Sequence, residues 1–279
     1  MQEIIEIRVP ESLAGRFLPA EAGATSACGI VRKLTLKMND PLVRQIKRID
    51  LKLRAEGRAF YTAWVISRRY TKREVAKAEL FHVWPKRVFE PAGEECGTTY
   101  NDAKACPECG AGAPQTSSLF LDGRRIPRKV DFAQTIAGEI IVSDRVIEVF
   151  RGLRLTGAEF DAVRLVNRGG MPSEHHFQLQ VVGQPIELDP ATRAGEDPFD
   201  EDGYGRCPCG DVVGLNLLSE VVVKGGAVSD ADVMVTRQMV GVRRGLLRPR
   251  PMLLLSPRAW RGIEDANLKG LVVEIARCS

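Results

Sequence analysis

Ile140-Ile141-Val142-Ser143-Asp144-Arg145 returns later in the chain as Leu253-Leu254-Leu255-Ser256-Pro257-Arg258. From these anchors residues 140–164 align without a gap onto residues 253–277. Both copies turn on a Leu-x-Gly step, Leu155-Thr156-Gly157 and Leu268-Lys269-Gly270. Upstream, Asp131-Phe132-Ala133-Gln134-Thr135 is matched by Asp232-Val233-Met234-Val235-Thr236. Further upstream each copy opens on a cysteine-glycine knuckle, Cys106-Pro107-Glu108-Cys109-Gly110 and Cys207-Pro208-Cys209-Gly210. Repetition on this scale predicts duplicated supersecondary structure, with cores at about 106–166 and 207–278.

Within each copy the local reading is the same. Ile140-Ile141-Val142 reads as a buried strand, and Ser143 as the cap of a helix that places Val146, Val149, Phe150 and Leu153 on one stripe. Residues 158–166 alternate as a second strand. In the later copy Ser256 is the cap, Pro257 holds the first helical position, and the strand over 271–276 follows Gly270. Asp131 and Asp232 recur at matching places, which favours turn or capping work over chemistry. Recurring strand–helix–strand units point to an α+β protein.

Residues 1–95 read as a mixed α/β region. Residues 3–9 alternate as a strand. Asp40-Pro41, followed by Leu42, Ile46, Ile49 and Leu53, predicts an amphipathic helix ending at Gly57. Residues 60–67 have strand character, and Thr71-Lys72-Arg73-Glu74 is a capping box. Residues 81–88 return to strand character, interrupted by Pro85. The expected architecture is this N-terminal region followed by a duplicated domain over 96–279 with zinc-ribbon-like cysteine knuckles.

The 279 residues carry a mild net charge of +4, which neither demands nor excludes an anionic partner. The charge is uneven. The N-terminal region is basic, residues 187–202 are acidic, and residues 237–250 hold five arginines and no acid. The stretch after Met1 lacks the basic and apolar run of a secretory leader, and no apolar run reaches the roughly 20 residues of a bilayer-spanning helix. A cytoplasmic setting is expected, and seven cysteines there favour metal ligation over disulfides.

Thiolates hold Zn²⁺ tetrahedrally, and Cys-x-x-Cys-Gly presents two of them on a tight turn. Cys106 and Cys109 fit that pattern, whereas Cys207 and Cys209 are one residue closer. The favoured site joins Cys106, Cys109, Cys207 and Cys209 across the two copies. The alternative uses Cys96, Cys106 and Cys109 with one ligand from the second knuckle. The metal is expected to be structural, because neither copy offers the His or Glu spacing of zinc hydrolases or the deaminase pattern. No nucleophile elbow, phosphate-binding loop or dinucleotide fingerprint is present, so no catalytic residue is assigned.

The cysteine pairs, the Asp-x-x-x-Thr segments and the Ser-x-Arg helices leading to Leu-x-Gly resemble the double-CxxCG family of myxobacterial paralogues over residues 96–279. Members of that family are regarded as immunity proteins that neutralise a cognate toxin. The resemblance implies a bacterial, non-enzymatic protein that binds a protein partner. The contact surfaces expected from the residues are the non-repeated charged loops, with Asp200 and Asp202 in the exposed, mobile 185–205 loop and Arg243, Arg244, Arg248 and Arg250 in the 239–250 insertion. The alternative is a nucleic-acid-binding zinc-ribbon protein that grips phosphates with those arginines.

Overall fold

A computed structural model describes residues 1–200, 207–210, 216–225, 230–241 and 243–279. Strand dominates, with five α-helices among the described residues. The first sheet comes from β1 (Gln2–Pro10), β2 (Ala24–Thr25), β3 (Val31–Lys37) and β4 (Ala63–Arg69), in the order β2-β3-β1-β4. Helix α1 (Glu11–Phe17) follows β1. Helix α2 (Pro41–Ala55) starts where the sequence places it: Asp40 accepts the Leu42 N–H at 2.8 Å and Pro41 opens the first turn. Its buried stripe of Val43, Ile46 and Leu53 packs with Ile5, Ile7 and Leu34 of the sheet. Helix α3 (Lys72–Lys77) carries the expected capping box between Thr71 and Glu74.

The chain continues through β5 (Leu80–Pro85), β6 (Val88–Phe89), β7 (Phe120–Leu121), β8 (Phe132–Thr135), β9 (Ile140–Ser143), α4 (Asp144–Gly152), β10 (Ala158–Leu165) and β11 (Met171–Val181). A short ribbon, β12 (Ala194–Gly195) with β13 (Asn216–Leu217), precedes β14 (Val221–Val223), β15 (Val233–Val240), β16 (Arg250–Leu255), α5 (Pro257–Asp265) and β17 (Leu271–Cys278). These strands form a six-stranded sheet, β6-β8-β9-β11-β10-β7, and a five-stranded sheet, β14-β17-β5-β16-β15.

The two sheets have matching order and register. Gln178 of β11 lies between Ile141 of β9 and Asp161 of β10, while His82 of β5 lies between Leu254 of β16 and Glu274 of β17. The hairpins correspond as well, with Phe132 opposite Val142 and Val233 opposite Leu255. In both sheets a short parallel strand flanks the strand after the helix: β7 beside β10, and β14 beside β17.

The central strands come from unexpected places. β5, assigned by sequence to the N-terminal region, is the middle strand of the five-stranded sheet, so that sheet crosses the boundary drawn at residue 95. β11 follows the first copy and fills the equivalent place in the six-stranded sheet. Phe81 and Val83 of β5 share one core with Phe132, Val142, Phe150, Val233, Leu255 and Ile275. Burial of each such side chain contributes about 1.5–3 kcal/mol, so both sheets depend on the same apolar layer.

The turns of each copy are gripped by the other. The Asp232 carboxylate accepts the Thr156 N–H at 3.0 Å, the Ser256 hydroxyl at 2.8 Å and the Arg258 guanidinium. The Asp131 carboxylate accepts the Lys269 N–H at 2.7 Å, the Ser143 hydroxyl at 2.9 Å and the Arg145 guanidinium at 3.1 Å. Ser143 is thus committed to Asp131 and makes no side-chain cap on α4, whereas Ser256 caps α5 through the Ala259 N–H. Gly157 and Gly270 have φ of +88° and +113°. A Cβ there would stand 2.1 Å from the Val233 carbonyl oxygen and 2.3 Å from that of Phe132.

The acidic loop, expected to be exposed and mobile, is anchored over much of its described part. Ile186 and Leu188 are buried, the Trp64 indole N–H donates to the Glu196 carbonyl at 2.9 Å, and the Tyr61 hydroxyl donates to Asp197 at 3.1 Å. Phe199 meets Tyr61 edge-on. Apolar side chains spaced among the acids supply the anchoring. Asp200 is half-buried in this docked segment, and Asp202 lies outside the described residues. Among the described residues no helix is long and apolar enough to cross a membrane.

Candidate metal centre

Each knuckle is a backbone turn that turns its sulfurs to one side. In the first, the Cys106 N–H donates to the Ala111 carbonyl at 2.7 Å and the Gly110 N–H donates to the Cys106 carbonyl at 2.8 Å. Gly110 takes φ +75°, and a Cβ there would collide with Arg243 Cβ at 2.4 Å, so glycine is required twice over. In the second, the Gly210 N–H donates to the Cys207 carbonyl at 2.9 Å, with Gly210 at φ +91°.

The two turns face each other. Cys106 Sγ lies 3.6 Å from Cys207 Sγ, and Cys109 Sγ lies 3.7 Å from Cys209 Sγ. All four sulfurs fall within 4.8 Å of one another. A disulfide would need about 2.0 Å. Four thiolates around a zinc-sized ion, with bonds of about 2.3 Å, stand about 3.8 Å apart. The four cysteines are therefore close enough to hold a metal ion, and the one-residue shortening of the second knuckle does not prevent convergence. Cys109 and Cys207 are buried, Cys106 is intermediate and Cys209 is exposed, so the cluster has one open side.

Electrostatics favour thiolate at one corner. The backbone N–H groups of Cys109 and Glu108 aim at the Cys106 sulfur and bring its pKa down to about 7, while burial pushes Cys109 up. A metal ion would overcome that burial penalty, since coordination deprotonates a thiol outright. Cys96 is outside the cluster, beside Asp122 at the end of a 3₁₀ turn, and its thiol is raised by burial. The alternative ligand set is therefore not the one assembled. Cys28 and Cys278 are also outside the cluster.

The arginine insertion wraps the first knuckle. The Arg243 N–H donates to the Cys109 carbonyl at 2.9 Å, and its guanidinium pairs with Glu94 at 3.4 Å. The Arg248 side chain is 8% exposed; its guanidinium pairs with Asp102 at 2.7 Å and Glu94 at 3.0 Å and lies 4.0 Å from the Tyr100 ring centroid. Arg250 donates to Gln134 Oε1 at 2.6 Å. Of the four expected contact arginines, only Arg244 stands on the surface with no side-chain partner among the described residues. Charge counting along the insertion could not reveal acids more than a hundred residues upstream.

Sequence reasoning missed a second polar constellation, Arg68 with Glu274 and His82. The Arg68 N–H and Nη1 donate to the two Glu274 oxygens at 2.8 and 3.1 Å, and burial raises the Glu274 pKa. The available signal was an acid inside the apolar run Leu271-Val272-Val273-Glu274-Ile275. No family model matches this chain, and no curated protein matches it.

Proposed function

We propose that this chain is a zinc-stabilised, internally duplicated protein that binds a protein partner stoichiometrically, and that its partner is a cognate toxin. The observation that carries this reading is the convergence of Cys106, Cys109, Cys207 and Cys209 from two distant segments. Four thiolates fill every position of a tetrahedral ion, the arrangement of a structural zinc site rather than a catalytic one. The matched registers support a duplication in which each copy lends its first strand to the other's sheet: β5 completes the second copy and β11 the first. The metal then ties the knuckle after β5 to the knuckle after β11, closing the exchange. The resemblance of residues 96–279 to the double-CxxCG family supports the immunity assignment. The test is co-expression with each product of the genes flanking its own that is toxic when expressed alone. A one-to-one complex on size exclusion with restored growth is expected; a folded, metal-loaded protein that neither binds nor protects contradicts the reading.

A second reading, nucleic-acid binding, draws on a different surface from the arginine insertion. An open trough of about 730 Å³ is lined by Arg128, Lys129, Arg168 and Lys269, with Arg145 paired to Asp131 and His175 to Asp144 on its wall. Basic side chains gathered along one trough suit a phosphate backbone. Retention of DNA or RNA that falls steeply with salt, and falls again in R128Q/K129Q, would favour it over the toxin reading.

A further inference from the structure

A cavity of about 340 Å³, at the small end of the range for organic ligands, lies where β4 faces the five-stranded sheet. The β8–β9 hairpin and the loop between β15 and β16 form its other walls. Its apolar lining includes Ile66, Trp84, Ile140, Leu247 and Met252, and its polar lining includes Arg68, His82, Gln134, Arg250 and Glu274.

The carboxylates at this cavity all gather on one of its two inner arginines, Arg68. Arg68 is neutralised by Glu274 and by Glu3, the latter at 3.1 Å. Arg250 has no such partner: among the described residues no carboxylate lies within 4.0 Å of its guanidinium, and its hydrogen bond goes to the neutral Gln134 amide. Arg250 is solvent-accessible, yet lost hydration lowers its pKa, as befits a cation lining a cavity rather than an open face. Two further polar atoms, His82 Nδ1 and Arg68 Nη2, are buried without a partner among the described residues. Buried polar atoms without partners are costly, and an arginine on the cavity wall with no carboxylate beside it is free to pair with an incoming anion.

The equivalent place in the six-stranded sheet is complete. Gln178, the register counterpart of His82, exchanges two amide hydrogen bonds with Gln115 at 2.7 and 3.1 Å. The same position is thus self-satisfied in one sheet and unsatisfied in the other.

We propose that this cavity binds a small organic anion, a carboxylate carried on an apolar or aromatic body, with Arg250 as counter-ion, His82 and Arg68 as hydrogen-bonding neighbours, and Trp84 among the apolar walls. An arginine fork matches the two carboxylate oxygens, and the apolar lining receives the body that carries them.

Calorimetry on the full-length, metal-loaded protein tests this with phenylacetate, benzoate and hexanoate, the neutral phenylacetamide, and inorganic phosphate. At least one carboxylate is expected to saturate a single site, at least tenfold more tightly than phenylacetamide and than phosphate, since a hydrogen-bonded charge is worth about tenfold or more. R250Q should lose at least tenfold, and H82Q, which installs the residue of the matching position, a few-fold. The proposal is overturned if no carboxylate binds saturably, if the amide or phosphate binds equally well, or if R250Q binds unchanged. Should R250Q fail to fold, the amide comparison and H82Q still decide.

Discussion

The carboxylate of Asp131 accepts the backbone N–H of Lys269 at 2.7 Å, across 138 residues of chain. Asp232 returns the arrangement by accepting the Thr156 N–H. Each aspartate therefore organises its own Ser-x-Arg helix start and holds the Leu-x-Gly turn of the other copy. The expectation of turn work for these residues holds, but the turn lies in the opposite copy. Removing either side chain would strand N–H donors and an arginine. D131A and D232A should each cost about 2–3 kcal/mol, below the range of about 3–5 kcal/mol for breaking a fully buried pair because both arginines are half-exposed. Urea unfolding measures this; a loss under 0.5 kcal/mol for both would disprove the cross-copy role.

Acid should weaken the same contact. Burial opposes ionisation of Asp232, but the Arg258 guanidinium, the Thr156 N–H and the Ser256 hydroxyl outweigh it and hold the pKa at about 2, below the ordinary 3.8. The folded pKa lies below the unfolded one, so this stabilisation is full above about pH 4 and is lost as pH falls toward 2. It amounts to about 2 kcal/mol at most, and less after screening at the exposed arginine. The stability gap between wild type and D232N should shrink between pH 5 and pH 2.5; a constant gap would contradict the assignment.

The proposed strand exchange, and the apolar layer that both larger sheets share, would make them one cooperative unit. Amides of β5 and β11 should exchange with solvent at the slow, global rate, and both sheets should melt in one transition, because both pack on the same apolar core. Two separated transitions, with β5 exchanging alongside the first sheet only, would refute the exchanged arrangement.

Within the arginine insertion the residues should separate by role. R248A removes a cation packed on Tyr100 and paired with two acids, and should cost about 2 kcal/mol in thermal or urea unfolding. R244A should change stability by less than about 0.5 kcal/mol. Equal effects would mean that the clamp around the first knuckle is unimportant.

The local units were legible in the sequence because their signals are local. Asp40-Pro41 capped its helix, Thr71 and Glu74 formed their box, and Ile140-Ile141-Val142 and Leu253-Leu254-Leu255 became strands followed by helices. The thiols were legible because ligand type and knuckle spacing carry the chemistry. The partners of β5 and β11 were not legible. Phe81-His82-Val83 and Phe177-Gln178-Leu179 share little beyond phenylalanine, and the strands they join are remote in sequence. The docking of the acidic loop was hidden for a related reason. Asp197 reads as surface charge until Tyr61 and Arg54 are seen beside it.

Metal content tests the central claim most directly. Elemental analysis of the purified chain should find one zinc per molecule, falling below about a tenth of that in C106S/C209S, with a large loss of thermal stability when a chelator strips the wild type through its open Cys209 side. A zinc-free preparation that folds and melts at the same temperature with and without chelator would contradict it.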